Sequence, residues 1–153
     1  MTHDGPRISA RALIRRSGRV LVSCYCDDAG PWYVLPGGGQ RRGETLFDCL
    51  IREVREETSV EVVAGRVRWV REFISGRHAD SRLDPAFHQV EVIFECELSD
   101  DATASLGANP DAGQTGLRWL TIPELAAVRF YPAELGRILT GDAKDRLYLG
   151  ETG

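Results

Sequence analysis

Several things are scarce in this sequence, and each scarcity closes off a class of protein. No apolar run approaches the ~18–20 residues that a membrane span needs, so no transmembrane helix is expected. The opening residues MTHDGPR hold no apolar stretch of the secretory kind, and a cytoplasmic setting is the expectation. Lysine is nearly absent, with Lys144 alone, and the 19 basic and 23 acidic residues leave a net charge of −4. Such a chain has no overall attraction for a polynucleotide backbone. Cysteine is sparse too. Cys24, Cys26, Cys49 and Cys96 lack zinc-site spacing, the three histidines are scattered, and 153 residues can build a core without a disulfide framework. Cys24 and Cys26 therefore read as small apolar residues packed in a core. With 42% hydrophobic residues, wholesale disorder is excluded as well, and what is left is a single globular domain spanning 1–153.

No repeat, low-complexity tract or linker divides the chain. Strands are expected at Ile8–Ile14 and Arg19–Cys26, joined by a short Arg-Ser-Gly turn. In the second strand Val20, Val22, Cys24 and Cys26 share one face and Leu21, Ser23 and Tyr25 the other. The segment Trp32–Pro36 leads into three successive glycines, Gly37 to Gly39, which read as a loop. A helix follows from Thr45 to about Thr58, opened by a capping-box-like pair, Thr45 and Asp48, with Phe47, Leu50, Ile51 and Val54 as its apolar face. Further strands are expected at Val60–Val63, Arg66–Ile74, His88–Leu98, Leu117–Leu120 and, at an edge, Arg146–Leu149. Along 88–98 Gln89, Glu91, Glu95 and Glu97 alternate with apolar residues, the pattern of a half-buried strand with an acidic outer face. Short helices fit Ile122–Val128 and Pro132–Leu139, and polar loops fill Ser75–Ala86 and Ser99–Thr115. Strands and helices mix without regular alternation, so the fold class is α+β with a mixed sheet between helices.

The helix 45–58 carries a peculiarity. Glu53, Glu56 and Glu57 fall within an arc of about 100°, beside the apolar face. They lie near the negative end of the helix dipole, where cations would be favoured. Glu53–Glu56 and Glu53–Glu57 are like-charge i,i+3 and i,i+4 pairs, and neither Glu53 nor Glu57 has a cation at i±3 or i±4. A hard divalent cation would remove the conflict, because Mg²⁺ takes oxygen ligands, one or two carboxylates and substrate phosphates among them.

Read from Gly38, the chain runs five residues to Glu44, seven more to Arg52, and then Glu53-Val54-Arg55-Glu56-Glu57-Thr58-Ser59-Val60. This resembles the Nudix box, GX5EX7REUXEEXGU with U a bulky aliphatic, at eight of its nine specified positions; Ser59 stands where the box has glycine. Trp32–Pro36 and Gly116–Leu120 with Pro123-Glu124-Leu125 resemble the segments around the box and late in the family's chain. The resemblance implies an α/β/α sandwich and hydrolysis of a nucleoside diphosphate linked to another group, with Mg²⁺ as cofactor and Mn²⁺ as the alternative ion. It implies a catalytic set of Arg52, Glu53, Glu56 and Glu57. Resemblance and the unpaired charges converge on Glu53 and Glu57 as metal ligands, with Glu56 third and the Gly38 carbonyl supplying another oxygen. Arg52 would fix a glutamate by a charge-assisted hydrogen bond. Glu44 is either structural or part of the metal site. A further acid from outside the box is expected, Glu91 first, with Asp101 and Asp111 behind it. Arg41 and Arg42 are candidates for substrate phosphates or a solvated pair. Trp32 or Tyr33 could stack on a base or sugar, with at least one of the two in the core. His78 and His88 read as structural or surface residues. The expected partner is a small-molecule nucleoside diphosphate derivative, the expected assembly a homodimer, and the rival reading a Nudix-fold module that binds such a ligand without cleaving it.

Overall fold

The computed structural model describes residues 5–153; residues 1–4, part of the opening stretch read above, lie outside the described residues. Two long strands come first, β1 (Arg7–Arg16) and β2 (Arg19–Asp27), followed by β3 (Gly30–Val34) and a very short β4 (Gly37–Gly39). Helix α1 (Leu46–Thr58) leads to β5 (Val63–Ile74), a single helical turn at Ser75–Arg77, and β6 (His88–Glu97). The chain ends with β7 (Gln114–Thr121), α2 (Ile122–Ala127), β8 (Phe130–Tyr131), α3 (Ala133–Thr140) and β9 (Tyr148–Glu151).

The strands follow the order β8-β3-β2-β1-β6-β5-β9, with β4 also paired to β1 and β7 to β2. The β1–β6, β3–β8 and β5–β9 pairs are parallel and the others antiparallel, so the sheet is mixed, as expected. Strand alternation places one apolar cluster on each face. Ala10, Ala12 and Ile14 pack with Cys49, Leu50 and Val54 of α1. Leu13, Val20, Val22 and Ile93 pack with Leu125 of α2 and with Leu135 and Ile138 of α3. Helices therefore cover both faces of the sheet, the layered arrangement that buries both apolar clusters.

Several expectations need correction. Gly37–Gly39 is a strand, not a loop: it pairs with β1 at Ser9, Ala10 and Arg11, and a Cβ at Gly37 would collide with the Ala10 carbonyl. Only glycine permits that approach. The expected pair of strands at 60–63 and 66–74 is one strand from Val63, irregular between Ala64 and Trp69; Gly65 passes so close to the Glu95 carbonyl that a Cβ would lie 2.9 Å from it. Val60 and Val62 are buried without belonging to any strand. Strand β6 keeps the expected acidic outer face only at its end, where Glu95 is half-buried and Glu97 exposed. Its Gln89 and Glu91 are buried and Ile93 joins the core, because the sheet curls and covers that face too. On α1 the buried face is rotated from Phe47 and Ile51 toward Cys49, Glu53 and Glu57, with Phe47 half exposed. Cys24 is in the core, whereas Cys26, at the strand's end, is exposed.

Candidate active site

Helix α1 is fixed at both ends. At its start the Thr45 hydroxyl accepts from the Asp48 N–H and the Asp48 carboxylate accepts from the Thr45 N–H, each at 3.1 Å. At its end Ser59 adopts the left-handed conformation (φ 61°, ψ 15°) that glycine takes without strain, while donating its N–H to the Arg55 carbonyl. The loop after β6 supplies donors to the last carbonyls: Ser105 N–H to Thr58 at 2.9 Å and Gly107 N–H to Glu57 at 3.0 Å. A Cβ on Gly107 would overlap the Glu56 carbonyl, so glycine lets this loop seat itself and carry Asp111 to the helix.

Arg52 gathers the near side of the site. Its Nε and Nη2 donate to the two oxygens of Glu44 at 2.5 and 2.9 Å, and Nη2 also reaches the Gly39 carbonyl at 3.2 Å. Its Nη1 donates to Glu53 at 2.6 Å and to Glu56 at 3.4 Å. Glu44 additionally accepts from the Arg41 N–H at 2.9 Å, and the Arg52 and Arg41 hydrogen bonds hold its pKa down at about 2. Glu44 therefore orients Arg52, which orients Glu53. Although Glu53 lacks a cation one turn away along the helix, it has one from its neighbour in sequence. Its carboxylate lies where a Cβ on Gly38 would be, 2.5 Å from it, so the glycine makes room for the acid. The Gly38 carbonyl accepts a hydrogen bond from the Cys49 thiol at 3.4 Å.

Glu57 is different. It is fully buried, and one oxygen accepts from the Ser23 hydroxyl at 3.1 Å and from the Gly37 N–H at 3.2 Å. The other, Oε1, has no hydrogen-bond partner among the described residues. Burial pushes the Glu57 pKa up to about 8, with the Arg11 guanidinium opposing the rise and Asp111 adding to it. Asp111 accepts from the Tyr25 hydroxyl at 3.2 Å, and burial beside these acids raises the Tyr25 pKa. One carboxylate oxygen each from Glu53, Glu57 and Asp111 lie within 4.8 Å of one another. Three converging carboxylates, one of which keeps a buried oxygen without a donor, make a site suited to a hard cation.

Glu56 stands beside this cluster, half-buried, with Arg52 at 3.4 Å and Arg41 at 4.0 Å. Arg41 and Arg42 are exposed on the loop before α1. Glu91 lies elsewhere, on the floor of a cavity of about 670 Å³. There it accepts from Arg11 Nε at 3.1 Å, Arg71 Nε at 2.5 Å and Gln89 Nε2 at 2.9 Å. The outside acid that the fold brings to Glu53 and Glu57 is Asp111, not Glu91, and Asp101 is not in the cluster. Trp32 lines the cavity, half-buried and stacked on Tyr25 with centroids 4.5 Å apart, while Tyr33 is in the core. His78 and Arg82 from the 75–87 loop and Ala112 and Gly113 from the loop carrying Asp111 also line it, so both polar loops shape this space. His78 meets Glu151 at 2.7 Å and His88 meets Glu72 at 3.2 Å. Sequence reasoning missed Arg11, Ser23 and Gln89. Arg11 carried a signal, an arginine inside an otherwise apolar strand.

A NUDIX domain model matches residues 5–139 of the chain. Over 43 residues the chain is 42% identical to the uncharacterized Nudix hydrolase YvcI of Bacillus subtilis, a match covering 28% of this chain and 27% of that one. Over 99 residues it is 32% identical to the low-salt glycan biosynthesis protein Agl8 of Haloferax volcanii, covering 63% of this chain and 62% of that one. The match thus spans less than two thirds of the length of either relative. A crystal structure of a NUDIX hydrolase from Nitrosomonas europaea superposes with a TM-score of 0.71 at 18% identity, covering 98% of this chain and 80% of that one, a likeness of fold.

Proposed function

The chain belongs to the Nudix family, and from that premise we propose that it is a pyrophosphohydrolase that cleaves the diphosphate bond of a nucleoside diphosphate linked to another group. The observation that carries the reading is the unpartnered, buried Oε1 of Glu57 within the Glu53–Glu57–Asp111 cluster. A buried carboxylate oxygen left without a donor costs about 1–3 kcal/mol or more, a cost that a bound cation removes. Glu53, Glu57 and Asp111 would hold Mg²⁺, or Mn²⁺ in its place; the bound ion supplies neutralisation of diphosphate charge and acidification of a water. The rest falls to the chain. Arg52, clamped by Glu44, keeps Glu53 turned toward the cluster, and the Gly37 N–H and Ser23 hydroxyl fix one oxygen of Glu57 so that the other faces its ligand. Glu56 lies beside the cluster as a further carboxylate, and Arg41 and Arg42 on the adjoining loop are the candidates for substrate phosphates. The cavity begins where the cluster ends: Tyr25, which donates to Asp111, lines it, as do Ala112 and Gly113. The substrate's organic portion belongs there, with Trp32 offering a ring to stack on.

The name of the Haloferax relative ties that protein to glycan biosynthesis, so nucleotide sugars belong in the substrate panel with nucleoside triphosphates, ADP-ribose and dinucleoside polyphosphates. A cytoplasmic setting and a homodimer complete the reading; among the described residues no helix is long and apolar enough to cross a membrane. In the test, Glu57→Gln keeps the wild-type circular dichroism and loses about a hundredfold or more of Mg²⁺-dependent turnover. Undiminished turnover in that variant would refute the assignment. A wild-type protein that binds a panel compound but cleaves none would make the chain a binding module instead.

A further inference from the structure

Three successive carbonyls beside the Glu53–Glu57–Asp111 cluster are held from strand β1. The Ala12 N–H donates to Pro36 at 2.8 Å, and Nη1 of Arg11 donates to the carbonyls on either side, Leu35 at 3.2 Å and Gly37 at 3.0 Å. The Pro36–Gly37 peptide in the middle carries the N–H that reaches Oε2 of Glu57 at 3.2 Å. Gly37 has a positive φ of 145° and is followed by two more glycines, so its own backbone preference does not fix where that N–H points. Arg11 is itself fixed. It stands opposite Gly37 in the β1–β4 register, its side chain is 15% exposed, and its Nε donates to Glu91 at 3.1 Å. Arg71 shares that acid but turns away from the glycines, donating Nη1 to the Thr152 carbonyl at 2.7 Å. A line of hydrogen bonds thus runs from Glu91 through Arg11 and Gly37 to Glu57, and Arg71 lies off it.

We propose that Arg11 is a positioning residue for the cation site: by clamping the Leu35 and Gly37 carbonyls it keeps the Gly37 N–H on Oε2 of Glu57 and so leaves Oε1 to its ligand. Its charge works in the opposite direction. A guanidinium near three carboxylates repels a divalent ion, so electrostatics alone would make Arg11 a hindrance to binding, and only geometry gives it a favourable part. The inference rests on the proposed function for the identity of the cluster as a cation site.

The experiment compares Mn²⁺ binding to the intact protein at one pH, followed by electron paramagnetic resonance, in the wild type, Arg11→Met, Arg11→Lys and Arg71→Met. Hydrogen exchange of the Gly37 amide is read by NMR in the same proteins without metal. Arg11→Met and Arg71→Met each take one of two cations from Glu91, so a merely structural loss appears in both. We expect Arg11→Met to bind Mn²⁺ about tenfold or more weakly and to exchange the Gly37 amide about tenfold faster, with Arg71→Met within about threefold of the wild type in both. Arg11→Lys keeps a cation beside Glu91 but has a single nitrogen for Glu91 and the two carbonyls together, so it should bind Mn²⁺ about fivefold or more weakly. That variant decides the matter if Arg11→Met does not fold. Tighter Mn²⁺ binding in Arg11→Met, or wild-type affinity in Arg11→Lys, overturns the proposal. So does an equal loss in Arg71→Met, or Gly37 exchange that is unchanged when Arg11 is replaced. A wild type that binds no Mn²⁺ overturns the cation site itself, and the positioning role with it.

Discussion

Two buried glutamates, Glu91 on strand β6 and Glu57 on helix α1, have opposite electrostatics. Glu91 is enclosed by cations: Arg11 and Arg71 donate to its two oxygens, and together they more than offset the desolvation that would raise its pKa, which lies below the ordinary carboxylate value. Glu57 is buried as deeply, but only a hydroxyl and one backbone N–H reach it, Arg11 acts on it from a distance, and Asp111 adds negative charge; its pKa is pushed up to about 8. The first acid is completed by the chain. The second is left for a ligand to complete. A buried charge with its partners in place is architecture, whereas one lacking them is a site, and burial alone does not tell the two apart.

The comparison is broken most forcefully from the completed side. Glu91→Leu leaves Arg11 and Arg71 buried without their anion, and urea unfolding should show a loss of about 3–5 kcal/mol. A change below 1 kcal/mol would mean that the network is not a structural closure. On the incomplete side, Arg52→Lys keeps the charge but loses the fork that joins Glu44, Glu53 and Glu56. We expect Mn²⁺ affinity, followed by electron paramagnetic resonance, to fall about tenfold or more while the fold persists. The smallest effect is at the helix end: Ser59→Gly relieves a left-handed serine, and the melting temperature should rise by the equivalent of up to about 1 kcal/mol.

How far the sequence carried these features depended on whether a residue announced its own surroundings. The Thr45–Asp48 cap, the box spacing and the alternation of β2 did so, because each reflects short-range geometry that the chain repeats or closes locally. Strand β4 did not: three glycines have no pattern to read, and only the nearness of the Ala10 backbone explains them. The rotated face of α1 was hidden for the reverse reason, since Glu53 and Glu57 look like solvent-facing residues and are buried to form the cluster. Glu91 looked like one of a row of surface acids until the fold supplied Arg11 and Arg71 from two other strands. Asp111 lies in a loop whose path is set by contacts to the Glu57 and Thr58 carbonyls, far away in sequence.

The claim that Glu57 is a buried carboxyl that gives up its proton to a bound cation has its most direct test in the melting temperature of metal-free protein as a function of pH, wild type against Glu57→Gln. A carboxyl whose folded pKa is raised contributes stability that is fully present below its unfolded value of about 4.5 and is lost as pH climbs through about 8. The wild type should therefore lose stability relative to Glu57→Gln across that window, and Mg²⁺ at pH 8 should restore it in the wild type alone. Parallel pH curves for the two proteins, or an equal response of both to Mg²⁺, would contradict the account.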